Sequence, residues 1–304
     1  MLTVIALGGN ALLRKGQRGT IEEQWDTVSK AAAILSRALR DVNAVITHGN
    51  GPQVGYLLEA FEMLPKDRPR QPLYLAVAMT QGWIGFLLQH SLSQLMGGRE
   101  VLAVPTRVTV RRDDPEFSNP SKPIGPYYSE EEARRLAREF GWILKRDPRG
   151  GYRRVVPSPK PVRVLEAAYI ARLAEAGIIV VAVGGGGIPV LDDTLEPVDA
   201  VVDKDLASSL LAYTIGARRL VILTDVPGVA VNYGRPGQRW LTEVTISELK
   251  HLYRMGHFPP GSMGPKVAAA IEFVEKTRGT AHIGPLDRAL EVLAGTTGTI
   301  VKPG

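Results

Sequence analysis

Three glycine turns follow three apolar runs in this chain. Gly8-Gly9-Asn10 follows Leu2 to Leu7, His48-Gly49-Asn50-Gly51-Pro52 follows Val42 to Thr47, and Gly184-Gly185-Gly186-Gly187 follows Ile178 to Val183. Glycine turns at strand ends expose backbone N–H groups, and a helix start beyond them adds a dipole, so geometry and charge together favour an anion. Taken singly, each cluster is equally a tight turn that needs positive φ. Three of them at comparable strand ends point to one shared ligand floor. Two lysines add direction: Asp203-Lys204-Asp205 and Gly261-Ser262-Met263-Gly264-Pro265-Lys266 each set a lysine at the start of a predicted helix. Aspartates there are ordinary caps, whereas a cation is electrostatically disfavoured and asks for a functional reason. The chemistry such a set can do is to bind and neutralise an anionic small molecule. No Gly-x-x-x-x-Gly-Lys-Ser/Thr loop is present, and the Gly184 to Gly187 run lacks the full dinucleotide fingerprint.

A rigid sheet is needed to hold these groups in register. Short β-branched runs alternate with amphipathic helices along the chain, the pattern of an α/β fold with a parallel sheet covered on both faces. Thr20 and Glu23 have capping-box spacing, and Trp25, Val28, Ala32, Leu35 and Leu39 then recur at helical spacing until Val42. Pro52 is placed to open a helix carrying Val54, Leu57, Leu58 and Phe61. Ligands on such sheets collect at the carboxyl ends of strands, which is where the glycine turns lie. From about Arg111 to Lys160 the texture changes to Pro, Arg, Asp and Gly with short strand-like pieces and one helix, Ser129 through Phe140, ended by Gly141. This reads as an inserted subdomain whose centre, Asn119 to Tyr128, is stiffened by prolines. The strand and helix alternation resumes at Pro161, and Leu220 to Leu223 form a buried strand that runs into the turn Thr224-Asp225-Val226-Pro227-Gly228.

Composition narrows the function classes. The 304 residues suffice for one large α/β domain or two lobes, and 44% hydrophobic with 22% charged residues is ordinary for a globular protein. The first residues enter a strand with no basic segment or cleavage site before it, so the expected location is the cytoplasm. The absence of cysteine removes disulfide, zinc-thiolate and thiol-nucleophile chemistry together. Leu73 to Met96 is long enough to cross a bilayer, but Thr80, Gln81, Gln89, His90 and Ser91 interrupt it. A helix buried in the core or packed on a second subunit is expected instead. The net charge of +6 is spread along the chain rather than gathered in one block, which favours an anionic small substrate over nucleic acid.

Ala6-Leu7-Gly8-Gly9-Asn10-Ala11-Leu12, Thr47-His48-Gly49-Asn50-Gly51-Pro52-Gln53-Val54-Gly55, Lys122-Pro123-Ile124-Gly125-Pro126, Gly184 to Val190, Asp203-Lys204-Asp205-Leu206-Ala207 and Gly261 to Lys266 resemble, in order, the signatures of carbamate kinases within the amino acid kinase fold. The resemblance implies a three-layer sandwich with a mainly parallel central sheet and a small protruding inserted subdomain at about 111–160. It also implies a first lobe, 1–200, for carbamate and carbamoyl phosphate and a second, 201–304, for the nucleotide. Transfer of a phosphoryl group between ATP and carbamate, with Mg2+, in a cytoplasmic homodimer, follows from the same likeness, with neither nucleic acid nor membrane as a partner. Carbamate is already an anionic nucleophile, so the work is charge neutralisation and in-line positioning. By resemblance Lys204 and Lys266 neutralise phosphate charge, Lys122 reaches in from the insert, and Asp205 holds the lysines. Gly8, Gly9, Asn10, Gly49, Asn50, Gly51, Gly185 and Gly186 surround the small substrate, and Thr224, Asp225, Val226, Tyr233, Met263 and Lys266 border the nucleotide. No protein ligand to the metal is named, although Asp225 is a candidate through water. Many relatives in the wider fold carry a lysine near the first glycine turn. Lys122 fills that gap here, with Arg14 and Lys15 as alternatives. His48 is expected to have a structural role, since the reaction needs no proton transfer. Two other readings stay open: a kinase of the same fold acting on acetylglutamate, aspartate or UMP, and a nucleotide-binding regulator or basic nucleic-acid binder without turnover.

Overall fold

In the computed structural model the described residues are 1–14, 16–65, 67–147, 150–259 and 261–304, with Asn10 described by its backbone. An eight-stranded sheet forms the middle layer, in the order Glu243–Thr245, Thr299–Lys302, Thr280–Pro285, Arg219–Thr224, Leu2–Leu7, Asn43–His48, Ile179–Val181, Val101–Ala103. Neighbours are parallel except where Thr280–Pro285 meets Thr299–Lys302. Parallel strands buried on both faces require apolar residues at consecutive positions, and the first strand meets that requirement. Val4 and Ala6 pack into one core with Val45, Leu220 and Ile222, while Ile5 and Leu7 pack into the other with Ile46, Val221 and Leu223. The helices Ile21–Ala38, Leu73–Ser93 and Ala289–Ala294 cover the second face. Ala167–Glu175, Lys204–Thr214, Ile246–Arg254 and Met263–Thr277 cover the first. The result is the three-layer α/β sandwich expected.

Register brings the turns to one edge. Leu7 lies opposite both His48 and Leu223, and Ile46 lies opposite Val181. Gly8, Gly49, Gly184 and the Thr224–Gly228 turn therefore leave the sheet at the same end. Thr20 and Glu23 form the capping box expected, Pro52 sits in the first turn of Gly51–Glu62, and Gly141 ends Glu130–Phe140 in the left-handed conformation; Ser129 and Glu132 add a capping box at that helix's start. The strands Lys122–Tyr128, Tyr152–Val156 and Leu144–Arg146 form an antiparallel sheet of their own beside that helix.

The long apolar stretch is a helix over Leu73–Ser93, three residues shorter than the apolar run, because the chain turns off ahead of Gly97 and Gly98, both at positive φ. Its polar residues are structural: Thr80, Gln81 and Ser91 are buried. Gln81 spans a gap in the backbone pairing, accepting from the Thr106 amide and donating to the carbonyls of Thr106 and Gly184. Among the described residues no helix is long and apolar enough to cross a membrane.

Candidate functional site

Asp203 caps the Lys204–Thr214 helix by accepting from the backbone N–H groups of Asp205 and Leu206. The cap sets Asp205 in the first turn, where its side chain points inward and the residue is 3% exposed. One carboxylate oxygen takes Lys204 Nζ at 2.5 Å and the other takes Lys266 Nζ, from the first turn of Met263–Thr277, at 2.9 Å. Burial alone would raise the Asp205 pKa, but the two ammonium groups overcome it and hold the carboxyl well below the usual range. One carboxylate does not serve two buried cations equally. Burial lowers the Lys204 pKa despite Asp205, whereas for Lys266 the same burial is overcome by Asp205, with help from Asp203 and Asp225, and the pKa rises. The trio carries a net positive charge held rigidly in a dry place, a setting in which an anion is worth binding.

Both lysines line a cavity of about 350 Å³. Gly8 and Gly9 form part of its floor, and Thr224, Asp225, Val226, Tyr233 and Met263 part of its walls. All six residues expected to border the nucleotide thus meet in one cavity. Gly8 tolerates no side chain here, because a Cβ would lie 2.9 Å from the Leu223 carbonyl oxygen, to which its own N–H donates. Sequence reading missed Trp240. Its ring lies 6.0 Å from that of Tyr233, edge to face, and it lines the same cavity. Trp240 arrives because Arg239–Leu241 folds back antiparallel on Val229–Val231, a pairing too short to announce itself in the sequence.

The remaining turn residues stand beside this cavity rather than on its lining. The stem of Lys204 crosses Gly49, where a Cβ would come within 3.4 Å of Lys204 Cδ, and Gly51 opens the next helix. Asn50 is 4% exposed and donates to Thr80 Oγ1 at 2.9 Å. Gly185, at φ +64°, packs on that amide so closely that a Cβ would lie 2.2 Å from Asn50 Nδ2, and a Cβ on Gly186 would meet the Val202 carbonyl at the same distance. The second and third turns therefore brace one another. His48 completes the brace. It is 1% exposed, its Nδ1 donates to the Gly49 carbonyl at 2.8 Å, and burial, with a smaller push from Lys204, lowers its pKa to about 4. Lys122 comes from the insert to meet Asp203 Oδ2 at 2.7 Å. Arg14 is exposed and does not line the cavity, and Lys15 lies outside the described residues, as does the side chain of Asn10.

Comparison with known proteins agrees with this geometry. The sequence model of the amino acid kinase family matches residues 1–284. The chain is 49% identical to a carbamate kinase of Pyrococcus furiosus over 309 aligned positions, covering 99% of this chain and 98% of that one. A solved carbamate kinase from Giardia lamblia bound to AMP-PNP superposes with a TM-score of 0.91 at 38% identity, covering 100% of this chain and 98% of the other. A crystal structure from Aeropyrum pernix K1 gives 0.95 at 58% identity, covering both chains in full. Fold, motif order and whole-length identity agree, and the chain belongs to the carbamate kinases of the amino acid kinase family.

Proposed function

We propose that this chain is an ATP-dependent phosphotransferase catalysing ATP + carbamate = ADP + carbamoyl phosphate in either direction. The observation that carries the reading is Asp205 between Lys204 and Lys266 on the wall of a cavity floored by Gly8 and Gly9. Toward ATP, a β-phosphate oxygen of ADP attacks the phosphorus of carbamoyl phosphate. The bond from phosphorus to the carbamoyl oxygen breaks, and its electron pair leaves on carbamate. No proton need move, which accords with a buried, neutral His48 and with a site rich in cations. Lys204 and Lys266 neutralise the phosphoryl oxygens, and the backbone N–H of Gly9 approaches them closely, beside Gly8, whose own N–H is taken by the Leu223 carbonyl. Asp205 is an organiser, not a base. The nucleotide lies along Thr224, Asp225, Val226, Tyr233 and Met263, while Lys122, Asn10, Gly49, Asn50, Gly51, Gly185 and Gly186 frame the carbamoyl end.

A lobe of residues 1–200, with its insert at about 111–160, then serves carbamate, and residues 201–304 serve the nucleotide. Among the described residues no group of three or more His, Cys, Asp or Glu side chains is arranged as a metal cage. Magnesium carried on nucleotide phosphates needs only one or two carboxylates besides water. Asp225 fits, an exposed carboxylate on the cavity wall whose charge is felt at Lys266. When bound there, the ion would neutralise phosphate charge that the lysines leave uncovered. The proposal includes a cytoplasmic homodimer, with the outward residues Leu75, Met79 and Phe86 of Leu73–Ser93 as its contact face. The test is a coupled assay of ATP formation from ADP, carbamoyl phosphate and Mg2+, with acetylglutamate, aspartate and UMP as rival acceptors of phosphate from ATP. Folded protein that turns over none of the carbamoyl phosphate refutes the reading.

A further inference from the structure

Asp203 is absent from the set of residues assigned above, yet it joins two parts of the site's framework. Its two carboxylate oxygens have separate tasks. Oδ1 accepts the backbone N–H groups of Asp205, at 2.9 Å, and Leu206, and so starts the helix that carries Lys204 and Asp205. Oδ2 accepts Lys122 Nζ at 2.7 Å, across 81 positions of sequence. Lys122 lies in the Lys122–Tyr128 strand of the insert, and that strand also touches the Gly51–Glu62 helix, where a Cβ on Gly55 would come within 3.0 Å of Gly125 Cα. The Lys122 side chain is 30% exposed and that of Asp203 13%, so the pair is partly shielded from solvent. An ammonium group has three N–H donors. Asp203 takes one of them, and the other two remain for a substrate.

We propose that Asp203 is a positioning residue that aims the insert's Lys122 at the carbamoyl substrate and ties that aim to the helix start bearing Lys204 and Asp205. The inference rests on the kinase reading above and deepens it. One side chain that joins the insert to the phosphate-binding helix makes capture of carbamoyl phosphate depend on the insert's seating, while the nucleotide cavity, which neither Lys122 nor Asp203 lines, is left alone.

Asp203→Asn separates the two tasks. The amide oxygen still accepts from Asp205 and Leu206, so the cap survives, but the charge that holds Lys122 is gone. With wild type, Asp203→Asn, Lys122→Ala and the double variant, we expect KM for carbamoyl phosphate to rise about five- to tenfold in each variant, the scale of one partly shielded ion pair. KM for ADP should stay within about twofold, and the double variant should be no worse than Lys122→Ala alone. Asp203→Ser, which keeps a capping oxygen and loses the second, should match Asp203→Asn and retain the wild-type melting temperature within a few degrees. Additive effects in the double variant overturn the inference, as does an unchanged or lowered KM for carbamoyl phosphate in Asp203→Asn. Failure of the kinase reading looks different, since the wild-type chain itself would then turn over no carbamoyl phosphate.

Discussion

His48 sits near Lys204 and invites a role as acid or base, yet its surroundings predict a measurable structural signature instead. Its pKa falls from 6.5 to about 4 because the ring is buried among the glycine turns, and the fold therefore requires the neutral form. Between those two values the unfolded chain binds a proton that the folded chain refuses. Stability must rise with pH across that window and fall as pH drops from about 6.5 to about 4. A shift of that size amounts to about 3 kcal/mol, present in full above the upper value and gone below the lower. His48→Asn preserves a donor to the Gly49 carbonyl and removes the titration. We expect urea unfolding to show the wild type losing about 2 to 3 kcal/mol between pH 7 and pH 4.5, and the variant losing much less. A residual slope comes from His282, whose pKa burial also lowers. At pH 8 kcat of the variant should stay within about tenfold of wild type, far from the loss expected for a general base. An unchanged acid slope in the variant would refute the burial argument. A collapse of kcat at pH 8 in folded protein would refute the claim that no proton transfer is needed.

Other perturbations reach the rest of the site. Lys204→Ala and Lys266→Ala should each lower kcat by about two to three orders of magnitude with the circular dichroism spectrum unchanged, and near-normal turnover in either would remove charge neutralisation as the mechanism. Asp205→Asn leaves two buried cations with no anion between them and should cost roughly 3 kcal/mol. Pyrophosphate should then raise its melting temperature more than it raises that of the wild type, and an equal or smaller rise would count against the electrostatic picture. Gly185→Ala forces a Cβ onto Asn50 Nδ2 at positive φ and should destabilise by roughly 2 to 3 kcal/mol; a neutral result in thermal unfolding would mean that the two turns do not brace each other. Trp240→Ala should weaken ADP binding about three- to tenfold through the loosened Tyr233 wall, with KM for carbamoyl phosphate unchanged.

Some of this arrangement was legible in one dimension. The turns are readable because a strand's carboxyl end is a local event, and parallel register then carries Gly8, Gly49 and Gly184 to one edge without further information. Lys204 and Lys266 stand out because a cation in a first helical turn works against the dipole. The capping boxes at Thr20 and Ser129 are likewise complete within four residues. What was not legible depends on contacts between distant segments. Nothing near Lys122 announces Asp203, Trp240 joins the cavity only through a three-residue strand pairing, and Gln81 reads as a polar break in an apolar run until it is seen holding the Gly184 carbonyl. The role of Asp205 between two lysines came from family likeness, since an aspartate at a helix start is ordinarily a cap.

The place of the Leu2–Leu7 strand, flanked by Asn43–His48 on one side and Arg219–Thr224 on the other, has a consequence for how the protein is made. During synthesis this strand can pair early along one side only, with Asn43–His48. Its other side waits until residues beyond 219 have emerged, and the Lys266 arm of the trio comes later still. Closing so long a loop is slow, and the unpaired, largely apolar strand is an aggregation hazard until it closes. A chain stopped after Ile188–Leu191 has the three glycine turns but an open sheet edge and lacks most of the cavity lining, so a truncated half should be insoluble rather than a smaller working kinase. Newly made protein is then either whole or a target for chaperones and proteases, with no active intermediate between.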